Sequence, residues 1–157
     1  MVSVRKARKS DVAKLATLIK DVIENCHYYS VEARRDEIKR FNATTLLQTF
    51  SSSDSLIYVA EVKKELVGFR IGTIYAGVFW SEWGGTKKDY RRKGISKTIF
   101  STIEKELKKL RVHKMWCDSR TSNSESNKSL IDAGFKKVSI LKKHWWKQDF
   151  YIWEKTL

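Results

Sequence analysis

Apolar positions along the chain switch between a helical and a strand period. Val12, Leu15, Ala16, Ile19, Val22 and Ile23 recur at three and four residues, which predicts a helix with one buried face, entered through Ser10 as N-cap. Val31 to Phe41 predicts a second, charged helix with a thin apolar face at Val31, Ile38 and Phe41, and Thr44 to Phe50 a further turn or two. Ile95, Ile99, Ile103 and Leu107, closed by Leu110, form the clearest stripe, with Glu104 placed four residues before Lys108 as an exposed pair. Asn123 to Ala133 predicts a last helix, stopped by Gly134 at C′.

Between these segments the chain turns β-branched and aromatic. Val2 to Lys6 predicts a short strand. Leu56–Val62, Leu66–Tyr75 and Val78–Thr86 predict a meander about the turns Lys63-Lys64-Glu65 and Ala76-Gly77. His113 to Asp118 reads as a strand, and Phe135–Trp145 with Phe150–Lys155 as a hairpin around Trp146-Lys147-Gln148-Asp149. Ser51 to Ser55 is a loop too short to link domains, so residues 1–157 read as a single domain. The order is strand, two helices, three strands, helix, strand, helix, two strands. It predicts an α+β fold with a mixed, mostly antiparallel sheet of about seven strands flanked by about four helices. The strand–helix–strand crossover makes the fourth and fifth strands parallel neighbours.

The junction between the third meander strand and the clearest helix carries the candidate chemistry: Glu82-Trp83-Gly84-Gly85-Thr86-Lys87-Lys88-Asp89-Tyr90-Arg91-Arg92-Lys93-Gly94-Ile95-Ser96-Lys97. The first N–H groups of a helix have no internal partner, and the macrodipole makes that end positive. Gly94 has no Cβ to hold a ligand off, and Arg91, Arg92 and Lys93 supply charge, which together suit a polyphosphate. A solvated basic loop is the plain alternative.

Composition narrows the class. Apolar residues are 41% and aromatic residues 12%, which is globular rather than disordered, and no run approaches the ~20 apolar residues of a membrane span. The start, Met1-Val2-Ser3-Val4-Arg5-Lys6, lacks the apolar core of a signal peptide. Cys26 and Cys117 make no disulfide framework, so a reducing cytoplasm is the expected location. No Cys/His cluster has metal-ligand spacing, and no metal is expected. The net charge of +14 favours anionic partners: coenzyme phosphates, an acidic surface or nucleic acid. It is spread along the chain and does not choose among them. Monomer and homodimer both stay open.

Arg91-Arg92-Lys93-Gly94-Ile95-Ser96 resembles the Arg/Gln-x-x-Gly-x-Gly/Ala signature of the GNAT superfamily of N-acetyltransferases, with Ser96 in place of the usual Gly or Ala. Asn123, then Leu130, then Gly134-Phe135 resembles the family's Asn-x6-Tyr-x3-Gly-Phe pattern at the usual distance after Gly94. The element order matches that fold from end to end, least well between Cys26 and Ser55.

The resemblance implies acetyl-coenzyme A as co-substrate, an amine acceptor, and direct attack in a ternary complex. It implies that Arg91, Arg92, Lys93, Gly94, Ile95, Ser96 and Lys97 hold the pyrophosphate and that Asn123 bonds the coenzyme's arm, although Asn123 serves equally as a helix N-cap. A backbone N–H at Gly85, Thr86 or a neighbour would polarise the thioester carbonyl. Glu82, flanked by Trp80 and Trp83, is the candidate base, expected to face the same way as Thr86, and a surface carboxylate is its alternative. The family's tyrosine acid is replaced by Leu130, which leaves Tyr90, Tyr151, Ser122 and Cys117 as possible donors. His27, Tyr28, Tyr29, Trp145 and Trp146 resemble acceptor-cleft segments and read equally as core, and His144 could assist proton transfer. The readings without turnover are a nucleic-acid-binding module and an acyl-coenzyme sensor.

Overall fold

The computed structural model describes Met1–Leu157. Its strands are β1 Ser3–Lys6, β2 Ser55–Val62, β3 Glu65–Tyr75, β4 Val78–Thr86, β5 Lys114–Arg120, β6 Lys136–Leu141 and β7 Phe150–Thr156; its helices are α1 Val12–Glu24, α2 Val31–Arg40, α3 Ala43–Ser51, α4 Ile95–Lys109 and α5 Ser124–Asp132. The strands form one 7-stranded sheet in the order β1-β2-β3-β4-β5-β7-β6. Only β4 and β5 run parallel, joined through α4 as the crossover predicts. The two meander turns are two-residue loops with positive φ throughout, Lys63 (48°) and Lys64 (67°), then Ala76 (49°) and Gly77 (77°), the geometry that matches the twist of a sheet.

Each face of the sheet has its own core. Ile95, Ile99, Phe100, Ile103 and Leu107 of α4 pack with Leu130 and with Val67, Phe79, Met115, Cys117 and Trp153 on one side. Leu15, Ile19, Val22 and Ile23 of α1 pack with Phe41, Leu46, Val59, Phe69 and Ile71 on the other.

Several sequence expectations shift. Ser10 caps nothing: Lys9–Asp11 is a 3-10 turn, and the Asp11 carboxylate accepts the Arg8 N–H at 2.7 Å and the Arg5 guanidinium at 2.7 and 3.1 Å. Leu18 joins the buried face of α1, with Ala16 partly buried at its edge. Val31 is 83% exposed at the first position of α2, whose buried residues are Ala33 and Glu37. Leu110 lies past the end of α4 and is exposed. A fifth helix, α3, is complete and capped by Asn42, which accepts from the Thr44 and Thr45 N–H groups. The final hairpin is wider than expected: β6 stops at Leu141 because the Asp149 carboxylate gathers Lys142 Nζ at 2.8 Å and the Lys143 N–H at 2.9 Å, closing a loop that lifts His144, Trp145 and Trp146 off the sheet.

The register of β3 on β4 positions the site. Ile71 lies opposite Trp83 and Thr73 opposite Trp80, so Ser81 and Glu82 together face Gly72: a β-bulge. It turns the second half of β4 over. Phe79 belongs to the α4-side core, whereas Trp83, an even number of residues on, packs in the α1-side core.

Candidate active site

The bulge corrects one expectation about the candidate base. Glu82 points to the α1 side, where its Oε1 accepts from Thr73 Oγ1 at 2.6 Å and its Oε2 lies 3.4 Å from Arg40 Nη2. Thr86 pairs with Gly68, where an added Cβ would stand 2.8 Å from Ile95 Cγ2 of α4. Glu82 and Thr86 therefore face opposite sides of the sheet. Their even spacing would put them on one side only in an unbulged strand.

The β4–β5 ladder joins only Val78–Ser81 to Lys114–Cys117. Beyond it β4 continues to Thr86 and β5 to Arg120 without pairing, so the two strands part. The amides along the parted edge follow from the other ladder. Lys87 N–H donates to Val67 C=O at 2.9 Å, so by antiparallel alternation Gly85 and Trp83 turn their amides toward β3, and Thr86 and Gly84 turn theirs to the open edge. Gly85 is small for packing: a Cβ there would stand 2.6 Å from Val22 Cγ1 of α1. Gly84 is small because the Arg70 side chain passes beneath it, 2.6 Å from where a Cβ would be.

After β4 the chain turns into α4. Arg92 (φ 60°) and Gly94 (φ 75°) both take the left-handed conformation, which turns successive N–H groups toward one concavity. None of the N–H groups of Arg92, Lys93, Gly94, Ile95, Ser96 or Lys97 has an acceptor in the protein; the first to bond is Thr98, to Gly94 C=O. A Cβ on Gly94 would meet nothing within 4 Å. Arg91 Nε donates to Thr86 C=O at 3.2 Å, tying the loop to the end of β4. Lys87 is engaged by Glu65, whereas Arg91, Arg92, Lys93 and Lys97 have no carboxylate partner. Ile95 contributes its amide alone, its side chain being buried in the core. Unclaimed amides, a helix N-terminus and free cations make this concavity suited to a diphosphate.

Asn123 caps α5, accepting the Ser126 N–H at 3.0 Å. Leu130 is 3% exposed in the α4-side core and has no proton to give. Of the residues considered in its place, burial pushes the Cys117 thiol up to about 12, and Tyr90 donates its hydroxyl to Glu65 at 3.0 Å at the loop's edge. Ser122 is exposed in a turn, and Tyr151 lies against Lys137 and Trp153 on the α4 side.

On the α1 side, the segment after α1 and the loop between β6 and β7 meet over the end of β5. Gln148 donates to Tyr28 C=O at 3.2 Å, and Trp146 to Asp36 at 3.0 Å. Tyr29 is held by Trp83, whose Nε1 donates to its hydroxyl at 2.7 Å, and the Arg120 guanidinium lies 3.8 Å from its ring centroid. His27 stacks only on Tyr28. Trp145 points elsewhere, donating to Asp118 at 3.1 Å. With Trp80, Trp116, His144 and Ile152 it surrounds a cavity of about 430 Å³ over the paired half of β4 and β5. Burial raises both the Asp118 and Glu37 carboxyls above the ordinary carboxylate range.

Four residues here were missed from the sequence: Glu37, Asp118, Arg120 and Gln148. Arg120 Nε bonds Gln148 at 2.7 Å, while Arg120 Nη2 and Glu37 Oε2 are enclosed without a partner. The alternation Asp118-x-Arg120 at the end of a strand was the one available signal. Nothing in the linear chain ties either residue to α2 or to Gln148.

Residues 18–135 match the model of the acetyltransferase (GNAT) family. No curated protein sequence matches the chain. Among solved structures, the PaiA N-acetyltransferase of Thermoplasma acidophilum in complex with coenzyme A superposes with a TM-score of 0.89 at 22% identity, over 100% of this chain and 99% of its own. The ribosomal-protein-S18-alanine N-acetyltransferase of Escherichia coli superposes with a TM-score of 0.79 at 15% identity, over 99% and 94%. The ribosomal-protein-alanine N-acetyltransferase of Brucella melitensis gives 0.80 at 19%, over 99% of each.

Proposed function

Because the chain belongs to the GNAT acetyltransferase family, we propose that it transfers an acetyl group from acetyl-coenzyme A to an amine by direct attack in a ternary complex. The observation that carries the reading is the run of unclaimed N–H groups from Arg92 to Lys97, in a loop that Arg91 ties to the end of β4, beyond the point where β4 and β5 have parted. When bound, acetyl-coenzyme A supplies an activated thioester. Arg91, Arg92, Lys93, Gly94, Ile95, Ser96 and Lys97 hold its pyrophosphate, chiefly through backbone amides. Thr86 and Gly84 aim their N–H groups where an oxyanion would develop, a role worth about 3 kcal/mol per donor in comparable sites. Gly85 supports them by letting α1 close on β4.

Glu82 takes the proton of the amine, held by Thr73 on the α1 side of the sheet with Arg40 at the end of α2 beside it. An amine of lysine type, with a pKa near ~10.4, arrives charged, so a base is needed before attack. Asn123 stays an N-cap with its amide group free for the coenzyme arm. The whole of residues 1–157 works as one domain, since strands from both ends of the chain complete the sheet that carries the site. The acceptor is a protein amine or a small amine. The charge of +14 favours a protein acceptor in an acidic or nucleic-acid-rich setting, and the two neighbours named for ribosomal-protein alanine make that a first arm to test. The two free cysteines suit a reducing compartment such as the cytoplasm. No helix is long and apolar enough to cross a membrane.

The test is thiol release from acetyl-coenzyme A with and without a panel of ribosomal-protein peptides, other peptides and small amines. Acceptor-dependent release supports the reading, and Glu82→Gln then lowers kcat by about 10²–10³-fold with the loss greatest near neutral pH. Calorimetry showing no coenzyme A binding to folded protein overturns it. Binding without release on any acceptor points to a sensor, the outcome that buried Leu130 favours over other failures.

A further inference from the structure

Arg70 has no part in the roles above, and its surroundings are unusual for a cation. It stands on β3 opposite Gly84, and its side chain crosses beneath β4 on the α4 side. The guanidinium lies 4.1 Å from the Phe100 ring centroid and donates through Nη1 to Ser81 Oγ at 3.2 Å, with Nε enclosed and without an acceptor. Ser81 and Cys117 are the last pair of the β4–β5 ladder. The guanidinium therefore sits where the two strands begin to part, close under the open edge of Gly84.

No carboxylate pairs with it. The titratable groups packed around it are the Cys117 thiol on β5 and the Tyr58 phenol facing it on β2, both pushed up to about 12 by burial and both neutral at neutral pH. Ser81 and Gly84 of β4 and Phe100 of α4 bring no charge. Burial pulls the guanidinium itself down only to about 10, so it keeps its charge. Arg70 is half-buried, with Nε enclosed and no counter-charge beside it; a cation held that way costs stability, and such a group persists most readily where an anion is to be met. Leu130, buried on the same side of the sheet, carries no proton for a leaving group.

We propose that Arg70 stabilises the coenzyme's sulfur as a thiolate when it leaves, in place of an acid that would protonate it. The inference rests on the reading that coenzyme A lies between the parted strands. The balance is simple. The ammonium gives one proton to Glu82 before attack, the nitrogen then bonds to the carbonyl carbon, and its second proton passes through water to solvent. The carbon–sulfur bond breaks, and its electron pair stays on sulfur opposite the guanidinium. Solvent supplies a proton to sulfur after release. Gly84 is part of the device, because a side chain there would displace the guanidinium.

The experiment titrates the thiol of coenzyme A bound to the wild type, Arg70→Lys and Arg70→Gln, following thiolate absorbance in the ultraviolet, with calorimetry on the same samples. The wild type lowers the bound thiol's pKa by about one unit or more, Arg70→Lys keeps part of that shift, and Arg70→Gln loses it. With acetyl-coenzyme A and an acceptor, Arg70→Gln lowers kcat about tenfold or more while KM changes little. Coenzyme A bound with the same thiol pKa in the wild type and Arg70→Gln overturns the inference and leaves the coenzyme reading standing. No binding to the wild type overturns that reading instead. If Arg70→Gln does not fold, the wild type decides alone. Its affinity for coenzyme A must rise about tenfold with pH relative to S-methyl coenzyme A, and parallel pH profiles refute the role.

Discussion

Replacing Gly94 separates the fold from the ligand site. Gly94 has φ 75° and ψ 4°, and a Cβ placed on it meets nothing within 4 Å. Gly94→Ala thus carries no clash, only left-handed strain of about 1–2 kcal/mol. The stiffer unfolded chain offsets ~0.4–1 kcal/mol of it. The net loss is about 1 kcal/mol, or roughly 2–4 °C in Tm for a chain of this size. Gly94→Glu adds little to that loss, because the side chain extends into open space at an exposed position. Toward coenzyme A the two variants diverge. A carboxylate about 4 Å from a phosphate charge, at an effective dielectric near 20, opposes binding by ~4 kcal/mol, about a thousandfold in Kd. Thermal melts and calorimetry with coenzyme A measure both quantities. Gly94→Glu that melts close to Gly94→Ala and binds coenzyme A within tenfold of the wild type would refute the reasoning, because the loop would then not be the phosphate site.

Gly85→Ala probes packing rather than chemistry: its Cβ would stand 2.6 Å from Val22 Cγ1, so a loss of about 1–3 kcal/mol in urea unfolding is expected, and Val22→Ala in the same chain restores part of it. Asp11 is held below the ordinary carboxylate range by the Arg5 guanidinium, so its contribution is present above the unfolded-state pKa and fades as pH falls through the lower folded value. Asp11→Asn accordingly costs about 2 kcal/mol at neutral pH, and the gap to the wild type closes in acid; a gap that holds constant down to the acid transition contradicts the pairing. Cys117, 1% exposed with its thiol pushed up to about 12, stays unlabelled by a thiol reagent in native protein while the half-exposed Cys26 reacts; equal rates would mean that the β4–β5 region opens readily.

Much of the fold was written in short-range pattern. The stripe at Ile95, Ile99, Ile103 and Leu107 and the strand from Val78 to Thr86 fall where periodicity put them, because an apolar face at a fixed period has one partner surface to meet. The left-handed Gly94 and the unclaimed amides at the start of α4, the proposed phosphate loop, were legible for a related reason. A glycine at a helix start, with cations beside it, acts through neighbouring backbone N–H groups and needs nothing from the rest of the chain. Val31 and Leu110 failed as core residues because each sits at a helix terminus, where one position decides between a packed face and solvent.

The tertiary structure alone decided the surroundings of the candidate site. The bulge that sets Glu82 and Thr86 on opposite faces comes from register against β3, and a single slipped pair inverts every later side chain on the strand. The unpaired edge that frees the Thr86 and Gly84 amides exists because β5 diverges, a property of two strands separated by a helix. Arg70, Glu37, Asp118 and Arg120 owe their environments to burial and to neighbours from distant segments. A sequence specifies which side chains can carry charge or donate a proton. Which of them lose water, and which find no partner when they do, is fixed only when the sheet closes on its helices.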